Sequence, residues 1–283
     1  KKDAVHAVEA YKHALHAQEH NEQKVIAHIM NLLTERPELL RVRWFLVELL
    51  VSYGHLRESL EQIEFIAQSY KNQHQNVLRG IDTILKKDPQ NVKALVVRGR
   101  TQLALGAMDE AIKALEKANK LRPAASEVQD KLTSAYKKKL EEREDNETRF
   151  KLGRIYFLQQ EYDEAIGCFQ KTAQDYRWEA ESTKMLGKCF TGKGMLDLAL
   201  QEYKKLVVDN ETKDLLYDLA QRYEGKKDLV GAKTVYRQLF AADIDYKDVK
   251  TRFEMLSGST SDPMAFEKTA IVQQMSEEAA RRY

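Results

Sequence analysis

A pattern that recurs along the chain constrains its fold more than any other feature. The stretch Ala94 to Pro123 reads ALVVRGRTQLALGAMDEAIKALEKANKLRP, two helical periodicities joined at Leu105-Gly106-Ala107-Met108. Phe150 to Phe169, Met185 to Tyr203 and Leu216 to Tyr236 superpose on it. In each copy a small residue of the first helix (Gly99, Gly153, Gly187, Ala220) is followed twelve positions later by an alanine of the second (Ala111, Ala165, Ala199, Ala232). From Gly153 to Gly187 is 34 residues, and from Gly187 to Ala220 is 33. Antiparallel helices approach closely only where one contributes a hydrogen or methyl group. The small pair is therefore the expected contact point, with Tyr156, Phe190, Tyr223, Leu115, Phe169, Tyr203 and Tyr236 filling the space around it. One hairpin alone leaves these faces uncovered, whereas stacked hairpins bury them against each other.

Composition agrees with long helices and short turns: 283 residues carry only 12 Gly and 4 Pro, with no credible strand pattern. A net charge of +2, from 46 basic and 44 acidic residues that are interleaved, gives no global basic field for nucleic acid. No apolar run approaches the roughly 18 residues of a membrane span, and the start is amphipathic rather than a secretory signal. Two cysteines, Cys168 and Cys189, make no disulfide framework and suit a reducing compartment, so a cytoplasmic setting is expected. Both ends, Lys1 and Tyr283, fall inside helical patterns, which predicts a piece of a longer protein.

Leu152-Gly153, Tyr156, Ala165 and Phe169, and likewise Leu186-Gly187, Phe190, Ala199 and Tyr203, resemble the tetratricopeptide repeat family. The resemblance covers roughly residues 91–245. It implies an all-α fold, a right-handed superhelical solenoid of antiparallel helical hairpins. Two departures stand out. The closing proline is present at Pro89 and Pro123 but missing after the later repeats, and Gly99 to Gly153 is 54 residues, room for one inserted helix near 125–145. Residues 1–90 read as degenerate amino-terminal helical repeats. Leu39 to Tyr53 and Leu56 to Tyr70 are joined at Gly54, with Val47 and Ser59 in the small positions but the register open. Asn76 to Lys87 adds a helix, and residues 1–35 read as two further amphipathic helices. Residues 246–256 read as a capping helix, 257–263 (SGSTSDP) as a linker and 264–283 as a helical tail.

Such a fold hosts many partners and no chemistry of its own, so function has to be read from a surface. First helices of a curved array line its concave face, where a partner segment would lie. Read down that face, Arg100, Arg154, Lys184 and Lys188 form a basic stripe flanked by Val96, Phe150, Phe157 and Tyr217. These residues suit an extended protein or peptide segment with acidic groups, which arginine clamps through two hydrogen bonds. A solvated helix face whose stems pack on their neighbours accounts for the same cations, and both readings stand at this point. The chaperone-tail clamp of some family members has asparagine where Arg100, Arg154 and Lys188 stand, so the resemblance does not extend to that ligand.

Five histidines, His6, His13, His16, His20 and His28, cluster at the start. Without a carboxylate or cysteine at matching spacing they read as surface residues, and no metal or cofactor is expected. Cys168 and Cys189 precede Phe169 and Phe190 in packing positions. No phosphate loop or nucleophile elbow occurs, and no catalytic residue is nominated. The ending Glu278 to Tyr283 resembles the segment ahead of bacterial serine/threonine kinase domains. A regulatory or self-associating module of a larger signalling protein is thus the alternative to a protein-interaction scaffold.

Overall fold

The computed structural model describes residues 2–17 and 21–258, and among them there is no strand. Two compact units meet in the sequence between Glu144 and Asp145. The first contains α1 (Lys2–Ala17), α2 (Glu22–Glu35), α3 (Leu40–Ser52), α4 (Leu56–Ser69), a single 3-10 turn (Lys71–Gln73), α5 (His74–Lys87), α6 (Val92–Ala104), α7 (Met108–Leu121) and α8 (Ser126–Glu142). The second contains α9 (Asn146–Leu158), α10 (Tyr162–Thr172), α11 (Glu179–Gly192), α12 (Leu196–Tyr203), α13 (Asn210–Gly225), α14 (Leu229–Ala242) and α15 (Val249–Gly258). The expected all-α array of hairpins is present, as α3/α4, α6/α7, α9/α10, α11/α12 and α13/α14.

All five hairpins turn in the same way. Seven residues past the contact position the backbone enters the left-handed region, at Gly54 (φ 82°), Gly106 (76°), Gln160 (61°), Gly194 (73°) and Lys227 (60°). The next amide then reaches five residues back: His55 to Leu50 (2.8 Å), Ala107 to Gln102 (2.9 Å), Glu161 to Tyr156 (2.9 Å), Met195 to Phe190 (2.8 Å) and Asp228 to Tyr223 (2.9 Å). This closure satisfies carbonyls that the helix end leaves bare. It also sets the register of α3/α4. Val47 is the contact residue, and the fully buried Ser59 hydroxyl donates to the Val47 carbonyl at 3.3 Å.

The contact itself differs from the expected small pair. A Cβ on Gly99 would lie 2.6 Å from Leu115, one on Gly153 2.9 Å from Phe169, and one on Gly187 2.1 Å from the Tyr203 ring. Each glycine therefore faces the large side chain sixteen residues later, not chiefly the alanine at twelve. Those alanines are fully buried all the same, as are Leu115, Phe169 and Tyr236. Burying a side chain of this size contributes roughly 1.5–3 kcal/mol relative to leaving it exposed.

Successive hairpins are also pinned at their turns. Asp109, Asp163 and Asp197 each stand ten residues past a contact glycine, in the first turn of a second helix. Each is met from the helix that follows: Asp109 by Lys139 at 2.8 Å, Asp163 by Lys193, and Asp197 by the Tyr223 hydroxyl at 2.7 Å. In α14 the same position is Val230, which is 79% exposed.

In the first unit, α5 belongs to none of these five hairpins, and it packs on α4 and α6 as well. It lies beside α3, so that α6 falls beside α4 and then beside α8. The first helix of the α6/α7 hairpin thus takes the side that the second helix takes in α3/α4. In the second unit α9 and α11 are neighbours, so first helices follow one another there. Ser257 and Gly258, expected in a linker, close α15 instead. His20, the rest of that linker, and the 264–283 tail with its Glu278 to Tyr283 ending lie outside the described residues.

Gly187→Ala is expected to cost about 1–3 kcal/mol in urea unfolding, because the 2%-exposed Tyr203 has nowhere to move. Gly106 has nothing within 4 Å of a Cβ, so Gly106→Ala isolates the backbone term. It is expected to lower stability by about 1 kcal/mol while Gln160→Gly raises it by a similar amount, both read as shifts in the unfolding midpoint.

Candidate functional site

The second unit brings Arg154, Phe157, Lys184 and Lys188 onto its consecutive first helices α9 and α11. Their placement follows from local sequence. Asp145 caps α9 by accepting the Thr148 amide at 2.9 Å, and Asp209 caps α13 through Thr212 at 2.8 Å, both within a repeated Asp-Asn-Glu-Thr run. The backbone amide of Thr212, helped by its hydroxyl, holds the Asp209 carboxyl below the ordinary aspartate range.

Arg154, one residue past its contact glycine, is exposed and has no ionic partner among the described residues. Lys188, at the equivalent position of α11, is half-buried and reaches Glu211 only at 3.9 Å. Phe157 is half-buried, edge-on to Tyr162 at 5.9 Å. Lys184 is engaged within the fold: it donates to Glu211 at 2.7 Å and Glu181 at 2.9 Å, and its side chain is 11% exposed. Burial opposes its charge, but the two carboxylates outweigh that and hold its pKa above the ordinary lysine value.

Phe150 and Val96 need correction as surface residues. Phe150 is 7% exposed, packed on Phe169 at 5.4 Å and Trp178 at 4.9 Å between ring centroids. Val96 is 6% exposed. Three positions before a contact residue a side chain turns into the hairpin rather than away from it. Arg100 is half-buried and lies 3.9 Å from Glu64 of α4, a second helix, because α5 has changed the side that α6 occupies.

Tyr217 is covered by the turn that leads into α15. Its hydroxyl donates to Asp248 at 2.5 Å, and the Lys247 ammonium stands 4.5 Å from its ring centre. Burial, reinforced by Asp248, pushes this hydroxyl up to about 12. Beside it Arg252 donates to Glu224 at 2.6 Å and Asp248 at 2.7 Å, with side chains 15%, 10% and 20% exposed. Sequence reading saw α15 only as an amphipathic cover. The Asp248 and Arg252 pair at i and i+4 was the available signal for an ion network beneath it.

Both cysteines stand in packing positions. Cys189 is buried, and burial pushes its thiol up to about 12, away from the thiolate a nucleophile needs. Cys168 packs against Gly153, where a Cβ would come within 2.9 Å of its own. His28 lies 5.7 Å from Tyr11, ring to ring, and among the described residues no group of three His, Cys, Asp or Glu is arranged to hold a metal ion. None of the described helices is long and apolar enough to cross a membrane.

Arg252→Met leaves Glu224 buried beside an apolar group and is expected to destabilise the second unit by about 3 kcal/mol in denaturant unfolding. Burial already raises Glu224 above its ordinary 4.5, against the pull of Arg252. Its protonation therefore favours the fold below about pH 4.5, and that contribution is lost as pH rises through the raised folded value. Without Arg252 the window of loss moves to higher pH, which a stability profile from pH 4 to 8 measures.

Residues 78–126 and residues 147–177 each match a family model described as tetratricopeptide repeat. The first match runs from within α5 past α7, and the second spans α9 and α10. No curated protein matches the chain. Similar solved structures include Naa15/Naa10 bound to HypK-THB, at 15% identity over 97% of this chain and 42% of that one, with a TM-score of 0.41. A second is YrrB, described as a TPR protein with an unusual peptide-binding site, at 17% identity over 77% and 93% and a TM-score of 0.32. A third is a thermophilic TPR protein of Thermus thermophilus, at 20% identity over 69% and 96% and a TM-score of 0.28. The chain spans less than two thirds of the length of the first two structures found, 42% of Naa15/Naa10 and 52% of the Cut9-Hcn1 tetramer chain.

Proposed function

The chain is a tetratricopeptide-repeat protein, and on that premise we propose that it is a scaffold that holds another protein through the first helices of its second unit. The observation that carries this reading is the exposed Arg154, without an ionic partner among the described residues, one repeat away from the weakly engaged Lys188. A guanidinium whose donors are unclaimed can take a carboxylate in a two-bonded clamp. Phe157 supplies the apolar contact beside it. Lys184 and Tyr217, engaged inside the fold, serve as the walls of this face, and Phe150 supports it from below. Arg100 and Val96 belong to the first unit and are not needed for it. The partner segment is extended and acidic, and the two free cysteines favour a reducing, cytoplasmic setting.

Affinity capture from a source lysate, run in parallel with wild-type chain and the Arg154→Glu/Lys188→Glu variant, tests the assignment. A partner retained by the wild type, released by raised salt and missing from the variant is the expected result. The same proteins retained by both would sink the site.

A further inference from the structure

The first unit carries a charged edge apart from the proposed scaffold face. Net charge over the whole chain is +2, yet residues 86–122 alone hold nine Lys or Arg against four Asp or Glu. Topology gathers these cations. The turn between α5 and α6 sits at the same end of the stack as the carboxy-terminal end of α7, because α6 runs antiparallel to both neighbours. Lys86 closes α5, Lys93 opens α6, and Lys117, Lys120 and Arg122 stand in the last turns of α7 and just past it. All five are exposed and have no ionic partner among the described residues.

The carboxylates of this stretch are committed elsewhere. Asp88 accepts the Gln90 amide at 3.3 Å and Asn91 Nδ2 at 3.0 Å, Asp109 takes Lys139 at 2.8 Å, and Glu116 accepts the Tyr136 hydroxyl at 2.8 Å. Glu110 lies in the first turn of α7, at the far end of that helix. Cations in the last turn of a helix answer its dipole, which accounts for Lys86 and Lys120. Lys93 has no such reason. It stands near the start of α6, where the dipole favours an acid, and the first turn there holds none. At the same architectural edge of the second unit the first helices open on Glu147, Glu179, Glu181 and Glu211. The fold therefore does not require a basic edge.

The surroundings of the cations choose the occupant. No Phe, Tyr or Trp occurs between Tyr70 and Tyr136, so the edge has no ring on which an unpaired base could stack. Among the described residues no large apolar side chain is exposed there either, and the turns present Pro89, Pro123 and Ala124 instead. A protein segment would find no apolar anchor, and a lipid surface would receive nothing into its acyl region. What is left is an array of point charges on the ends of three packed helices. At about 8–10 Å between helix axes the array is about 20 Å across, a length over which a duplex offers about a dozen phosphates at one per 1.7 Å of axis. We infer that this edge binds a nucleic-acid duplex through its phosphate backbone, without reading its sequence. This does not depend on the reading of Arg154 and Lys188.

Fluorescence anisotropy of a labelled DNA duplex of about 20 base pairs, titrated with the full chain between about 50 and 200 mM NaCl, tests it. With each of the five cations neutralising one phosphate, log K is expected to fall against log salt with a slope of about −4.5, and a duplex of scrambled sequence should give the same line. Lys93→Gln/Lys120→Gln/Arg122→Gln changes only exposed side chains and should bring the slope to about −2 without lowering the melting temperature. Arg154→Glu/Lys188→Glu should leave the slope as it was. Absence of binding at the lowest salt, a slope that the triple variant does not change, or tighter binding to a single strand of the same length would overturn the inference. Displacement of the duplex by a glutamate-rich peptide or by phosphatidylserine vesicles, at a lower concentration of charge than unlabelled duplex needs, would overturn it in favour of an acidic protein or a membrane. Should the triple variant fail to fold, Lys93→Gln alone, expected to reduce the slope by about 1, decides.

Discussion

Three of the five hairpins are set by one recurring approach, in which a glycine gives up its side-chain space to a large residue sixteen positions later. Gly187 against Tyr203 is the tightest case, at 2.1 Å from an ideal Cβ to the ring. That approach fixes how far apart the two helices of a hairpin stand, and so which residues of the first helix turn inward. Phe150 and Val96 turn inward for this reason, while Arg154 and Lys188, one step past the contact residue, turn out. The surface chemistry is thus set by a backbone hydrogen at the core. A substitution at the glycine would disturb that outward face without touching it.

Much of this was legible in the residues themselves. The spacing of Gly99, Gly153, Gly187 and Ala220 located the hairpins, and Gly54, Gly106 and Gly194 marked three of the five turns. The turns at Gln160 and Lys227 were less visible, because a polar residue accepts the left-handed region at some cost and leaves no compositional mark. The role of Asp109, Asp163 and Asp197 was also hidden. An aspartate near a helix start reads as a response to the helix dipole, and only stacking reveals a partner from the following helix. Of the nominated groove, the cations one step past a glycine were readable as outward-facing. Their occupancy was not: Lys184 is taken by Glu181 and Glu211, residues whose reach depends on tertiary placement.

The two units hold their charges differently. In the second, Arg252 of α15 joins Glu224 and Asp248 in a nearly closed network, and the turn ahead of α15 covers Tyr217, so the end of the α13/α14 hairpin is sealed by ions beside an amphipathic helix. In the first, Lys93, Lys120 and Arg122 stay outside any such network and stand at one exposed edge. Buried charges that are paired resist exchange of partners, because each leaves behind an unsatisfied ion when it moves. Unpaired charges at a rim carry no such penalty and are the ones free to meet another molecule.

A helix such as α5, set between two hairpins, has a wider meaning for a chain assembled by repetition. Hairpins come in twos, so copying or deleting a whole hairpin preserves which side each helix occupies. One unpaired helix works like a single-base insertion in a reading frame: every later hairpin in the same stack presents its opposite side. α6 already sits on the side of α4. A surface in the first unit is therefore composed of first and second helices together, a mixture that no array of whole repeats can make.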